Sequence, residues 1–194
     1  MITKEVLYMN YISIGAVTKP STEYIVMVSH CGYDYTLTGE LARLWLNGRF
    51  AFDAARNQIQ QQALNQLMRM GLVIVAEDAP EGAYRALTKA RLVPSNIKNA
   101  YTGLSRDEKT ALKWIRETGL VLSMAELVYL MDRDVQPEQK YLGKDHIQAL
   151  VERIYTRDTI FDNILENQME HAPRREYVVK LVLRLLKKKR IVLL

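Results

Sequence analysis

The spacing of apolar residues along this chain changes several times, and each change marks an element. Residues 6–17 and 24–30 are dense in β-branched and aromatic types: Val6, Tyr8, Tyr11, Ile12, Ile14 and Val17, then Tyr24, Ile25, Val26, Met27 and Val28. Such runs predict two strands. Lys19-Pro20-Ser21-Thr22 between them is turn chemistry, so an antiparallel hairpin is the simple reading. From Thr38 the spacing becomes helical. Leu41, Leu44 and Trp45 recur behind a Thr38 cap, and Asn47-Gly48 closes the helix. Asp53 predicts the cap of a second helix reaching about Met70. Its apolar face holds Ile59, Ala63, Leu67 and Met70, and its polar face Asn57, Gln58, Gln61, Gln62 and Asn65. Leu72 to Val75 then predicts a strand, Glu77 to Gly82 a turn, and Tyr84 to Val93 a returning strand.

Pro94-Ser95-Asn96 and Thr102-Gly103 predict a boundary. Beyond it the pattern is helical almost to the end. Ser105-Arg-Asp-Glu108 and Ser123-Met-Ala-Glu126 have the form of capping boxes, which start helices near 106 and 124. Gly119 ends the first, Gln136-Pro137-Glu-Gln reads as a loop or a helix start, and Gly143 interrupts again. Further helices are expected from Asp145 to about Tyr155, and from Asp158 to about Glu170 with Ile160, Phe161, Ile164 and Leu165 inward. A last helix after Pro173 carries Val178, Leu181, Val182, Leu185 and Leu186, the spacing of a buried stripe. Ile191 to Leu194 is too apolar for a loose tail and is expected to pack or pair as a strand. No internal repeat of fixed period is visible. The expected fold class is mainly α with small β elements (α+β): a domain over 1–95, a linker over 96–104, and an all-helical domain over 105–194.

Two phrases carry a resemblance. Leu37-Thr-Gly-Glu-Leu-Ala-Arg-Leu-Trp-Leu-Asn-Gly-Arg-Phe50 and Leu64-Asn-Gln-Leu-Met-Arg-Met-Gly-Leu-Val73 look like winged-helix domains, the second being a helix that ends in Gly-Leu-Val before a wing strand. The first also resembles the small peptide-carrier domain of quinone-cofactor and peptide-maturation pathways, and the Golgi phosphoprotein family, which binds phosphoinositide headgroups. The resemblance covers residues 37–93. It implies a winged helix with a β-hairpin wing in the first domain. Between Gly48 and Gly71, where a regular winged helix has two helices joined by a tight turn, the chain has room for one long helix or two short ones.

The 194 residues suit two small domains, and 48% apolar with 25% charged residues is an ordinary globular balance. A single cysteine, Cys31, excludes an internal disulfide framework, and neither a signal sequence nor a bilayer-length apolar run is present, so a cytoplasmic location is expected. The net charge of +5 is unevenly spread. Residues 107–170 hold 8 Lys and Arg against 13 Asp and Glu, whereas 171–194 hold 8 basic residues against Glu176 alone. Blocks of this kind predict a polyanionic partner, or one face neutralising another.

No phosphate loop, dinucleotide fingerprint or nucleophile elbow occurs. His30-Cys31 would need converging side chains to act together, and neighbours on a strand diverge, so a strand-end histidine beside a buried thiol is the plainer reading. Asp145-His146 reads as helix capping, and Glu170-His171 as an imidazole at a helix end. Asp132-Arg-Asp134 lacks a third ligand and reads as a solvated loop. No enzyme, metal or cofactor is expected.

Cations carry the stronger signal. Arg85, Lys89 and Arg91, on a wing, would reach a phosphate backbone. Arg174, Arg175, Lys180, Arg184, Lys187, Lys188, Lys189 and Arg190 surround the last helix, with 180, 184 and 187–188 opposite its apolar stripe. Such a ridge binds nucleic acid by counterion release, whatever the sequence. The leading expectation is a double-stranded DNA-binding protein, a transcription regulator or mobile-element protein. The alternative is a winged-helix adaptor that binds another protein or itself as a homodimer. A third is a protein of anionic membrane surfaces, without integral membrane association.

Overall fold

The computed structural model describes residues 9–19, 22, 24–77, 80–156 and 162–194. Contacts divide the chain into two compact units, Met1–Asp78 and Ala79–Leu194. The fold is mixed, with helices and small antiparallel sheets in both units.

In the first unit, strand β1 (Asn10–Ser13) leads into β2 (Ala16–Val17), β3 (Ile25–His30) and β4 (Tyr33–Thr38). These last three form one antiparallel sheet. Val26 faces Leu37 and Val28 faces Tyr35, so every second residue turns to the core. Cys31 and Gly32 make the two-residue turn, both at positive φ (49° and 82°), as a right-twisted hairpin requires. Helix α1 (Gly39–Asn47) follows and buries Ala42, Leu44 and Trp45. Thr38 stands at its N-cap but its side chain makes no capping bond. Then come β5 (Asp53–Ala54), α2 (Gln58–Arg69) and β6 (Val73–Ala76). Asp53 is therefore a strand residue. The α2 cap is Asn57, whose side chain accepts from the Gln60 amide at 2.9 Å. Strands order as β5-β1-β6, and Trp45 donates from Nε1 to the Ile14 carbonyl at 3.1 Å.

The expected wing does not form. Residues 84–88 belong to helix α3 (Pro80–Thr88) in the second unit, and only β7 (Arg91–Pro94) is extended. Tyr84, Ala86, Leu87 and Ala90 are buried. Their three- and four-residue spacings are helical, and the alanines favour a helix over a strand. With no returning strand beside it, β6 pairs with β1.

The second unit continues with α4 (Arg106–Glu117), β8 (Leu122–Ser123), α5 (Met124–Asp132), α6 (Ile147–Ile154), α7 (Asp162–Glu170), α8 (Arg175–Lys187) and β9 (Ile191–Leu193). Both expected capping boxes are present at Ser105/Glu108 and Ser123/Glu126. The α8 stripe of Val178, Leu181, Val182, Leu185 and Leu186 is buried. Ile160 and Phe161 lie outside the described residues, and Ile164 is exposed while Leu165 is buried. This unit is not all-helical, because β8, β7 and β9 form a sheet in that order. That sheet also moves the boundary. β7 pairs with the C-terminal strand, so residues 96–104 are a loop inside the second unit, and the division falls at Asp78–Ala79.

The two units repeat one arrangement. Leaving aside the β2-β3-β4 sheet of the first unit and α3 of the second, each runs from a central strand to a helix with a buried tryptophan, then a two-residue strand, then further helix and a last strand. The registers agree residue for residue. Tyr11 faces Asp53 and Val75, as Leu92 faces Leu122 and Leu193. Ser13 faces Val73, as Pro94 faces Ile191. Ala42-Arg-Leu-Trp45 matches Ala111-Leu-Lys-Trp114, with all four named residues at 0% exposure. The helix ends match too. Gly71 (φ 70°) and Lys189 (φ 57°) are the left-handed residues, and Leu72 and Arg190 donate to the carbonyls of Leu67 and Leu185. Unequal insertions between these elements hide the repeat from any fixed-period reading.

Candidate nucleic-acid interface

The net positive charge of the chain sits in the second unit, which holds 21 Lys and Arg against 15 Asp and Glu; residues 1–78 hold 6 against 7. Helix α8 is anchored by its buried stripe, which leaves Lys180, Arg184, Lys187 and Lys188 on the exposed side. The side chains of Lys180, Arg184 and Lys187 make no hydrogen bond or ion pair among the described residues. They form the free ridge.

Other expected contacts are engaged within the unit. Lys188 Nζ donates to both carboxylate oxygens of Glu108, at 2.8 and 2.9 Å, and to the Gly103 carbonyl. Burial pushes the Glu108 carboxyl up, but the hydrogen bonds from Lys188 and the Ser105 amide, with the charge of Lys188, outweigh it and hold the group below its ordinary range. Arg174 donates its amide to Asp132 and its guanidinium to the Met131 carbonyl at 2.7 Å, and stacks 5.6 Å over Tyr177. The Arg175 side chain is only 11% exposed and donates to the Glu170 carbonyl. Arg190 donates to the Thr102 carbonyl at 3.0 Å, and Lys189 holds the left-handed position after α8.

Arg85, Lys89 and Arg91 are not on a wing. Arg85 lies on α3 and pairs with Glu170 at 2.6 Å, Arg91 opens β7 at 3.8 Å from Glu126, and Lys89 is exposed between them. The acidic middle segment thus supplies Glu108, Glu126, Asp132 and Glu170 as internal partners.

Sequence reasoning missed a second row. Arg106, Lys109 and Lys113 lie at i, i+3 and i+7 of α4, away from its buried Ala111, Leu112, Trp114 and Ile115. They line a hollow of about 540 Å³ with Tyr101, Gln136 and Pro137. Burial and a hydrogen bond to Glu117 raise the Tyr101 phenol above its ordinary value. Arg106 also lines a neighbouring hollow of about 270 Å³ with Arg174. The signal was present as helical spacing of cations, but an acid-rich segment masked it.

His30 and Cys31 do come together. Cys31 is exposed, and its Sγ lies 3.3 Å from His30 Nε2, because the positive φ of the turn breaks the strand alternation. Among the described residues no three His, Cys, Asp or Glu side chains converge as a metal site, and no helix is long and apolar enough to cross a membrane. Comparison with protein-family models, with curated proteins and with solved structures gives no match to this chain.

Proposed function

We propose that the chain binds double-stranded DNA through the exposed face of α8. The observation that carries this reading is the free row of Lys180, Arg184 and Lys187, on a helix whose opposite face is fixed in the core. Three phosphate contacts contribute about 2.7 to the slope of log affinity against log salt. Replacing Lys180, Arg184 and Lys187 by Gln should therefore flatten the slope by about that amount while leaving the apolar stripe intact. Absence of duplex affinity in the unaltered protein at low salt would end this reading.

A second reading, a protein-binding adaptor, is favoured by one feature of the first unit. Helix α2, the positional counterpart of α8, exposes Gln58, Ile59, Gln62, Asn65, Gln66 and Met68, with Arg69 its only cation. A neutral face with exposed Ile59 and Met68 suits a protein surface better than a phosphate backbone.

A further inference from the structure

We infer that the trough along α4 is a binding site for single-stranded nucleic acid, distinct from the α8 ridge and from its duplex partner. Arg106, Lys109 and Lys113 make no hydrogen bond or ion pair through their side chains among the described residues, so all three charges are open to a ligand. They run about 10 Å along one wall of the trough. Tyr101 and Pro137 add apolar surface to the lining, and Gln136 a polar group. Cations along a backbone path beside an aromatic ring are the combination that holds a single strand, since every base has a face to stack. Glu117, the acid in this lining, already accepts the Tyr101 hydroxyl, which fixes the ring in place.

The lining favours a single strand: an unpaired base has a free face to stack on Tyr101, whereas the bases of a duplex are already stacked on one another. The neighbouring hollow that Arg106 shares with Arg174 also holds Asp107 and Asp134, so the cationic path stays within the α4 trough.

The test is a salt titration of full-length protein with a labelled twelve-residue oligothymidylate, read by fluorescence anisotropy. Three contacts on a single strand contribute about 2 to the salt slope. Replacing Arg106, Lys109 and Lys113 by Gln should flatten the slope by that amount. Replacing Lys89, Lys144 and Arg153, exposed cations that line neither hollow, removes the same charge and should leave it unchanged. No oligothymidylate binding at low salt, an unaltered slope in the α4 variant, or equal flattening in the charge control would each overturn the proposal. The α8 variant separates the two readings. If it loses duplex binding while the α4 variant keeps its single-strand slope, the duplex reading stands and this one falls.

Discussion

Lys187 and Lys188 are adjacent and carry the same charge, yet the fold gives them opposite roles. Lys188 lies within hydrogen-bond distance of both Glu108 oxygens, and the Glu108 side chain is 3% exposed. Removing one partner of a fully buried pair costs about 3–5 kcal/mol, whereas exposed pairs contribute about 0–1. The Lys188 side chain is 40% exposed, so water screens the pair and offsets part of the loss. Lys188→Gln should therefore destabilise the protein by about 2 kcal/mol. Lys187→Gln should stay within about 0.5 kcal/mol. DNA binding should respond the other way, with Lys187→Gln flattening the salt slope by about 0.9 and Lys188→Gln leaving it unchanged. Urea unfolding followed by circular dichroism, with salt titrations by anisotropy, measures both. The stability difference has a pH signature. The folded Glu108 carboxyl titrates below its ordinary 4.5, so its contribution is fully present above that value and is lost as pH falls through the folded pKa. The gap between wild type and Lys188→Gln should narrow as pH falls below 4.5 and the folded carboxylate is protonated. Equal stability of the two variants at neutral pH, or a gap that does not narrow in acid, would refute the reasoning.

The repeated architecture gives two further paired tests. Trp45 donates to the Ile14 carbonyl, but its counterpart Trp114 has no partner for Nε1 among the described residues. Trp45→Phe orphans a buried carbonyl and should cost about 1–3 kcal/mol more than Trp114→Phe in chemical denaturation; equal costs would count against it. Lys189 holds the left-handed position that glycine holds at Gly71. Lys189→Gly should raise stability by about 1 kcal/mol, and Gly71→Ala should lower it by a similar amount, both read from thermal melts.

Much of the local structure is legible in the sequence because its causes lie within a few residues. Ser105 and Glu108, or Ser123 and Glu126, are enough to start a helix, and the spacing from Val178 to Leu186 is enough to choose its buried face. The exposed row of Lys180, Arg184 and Lys187 comes from that same spacing. Short strands are different. β5 and β8 have two residues each, and nothing in Asp53-Ala54 or Leu122-Ser123 marks them as extended until β1 or β7 lies alongside. The same holds for β6, which reads correctly as a strand but finds its partner in β1 near the start of the chain. The boundary near residue 95 failed for this reason: turn residues are visible locally, whereas the pairing of Leu92 with Leu193 is not.

Charge shows the division most clearly. The sequence determines that α8 presents cations to one side, because helical periodicity sorts polar from apolar residues wherever the helix is placed. It does not determine which cations remain open to a ligand. Lys188 meets Glu108, and Arg85 meets Glu170, across about 80 residues of chain, and only the packing of α8 on α4 and of α3 on α7 brings those groups within hydrogen-bond distance. Periodicity is a property of neighbours along the chain, but the pairing of distant charges is set by the tertiary structure, since the Coulomb energy between two groups depends on their separation in space.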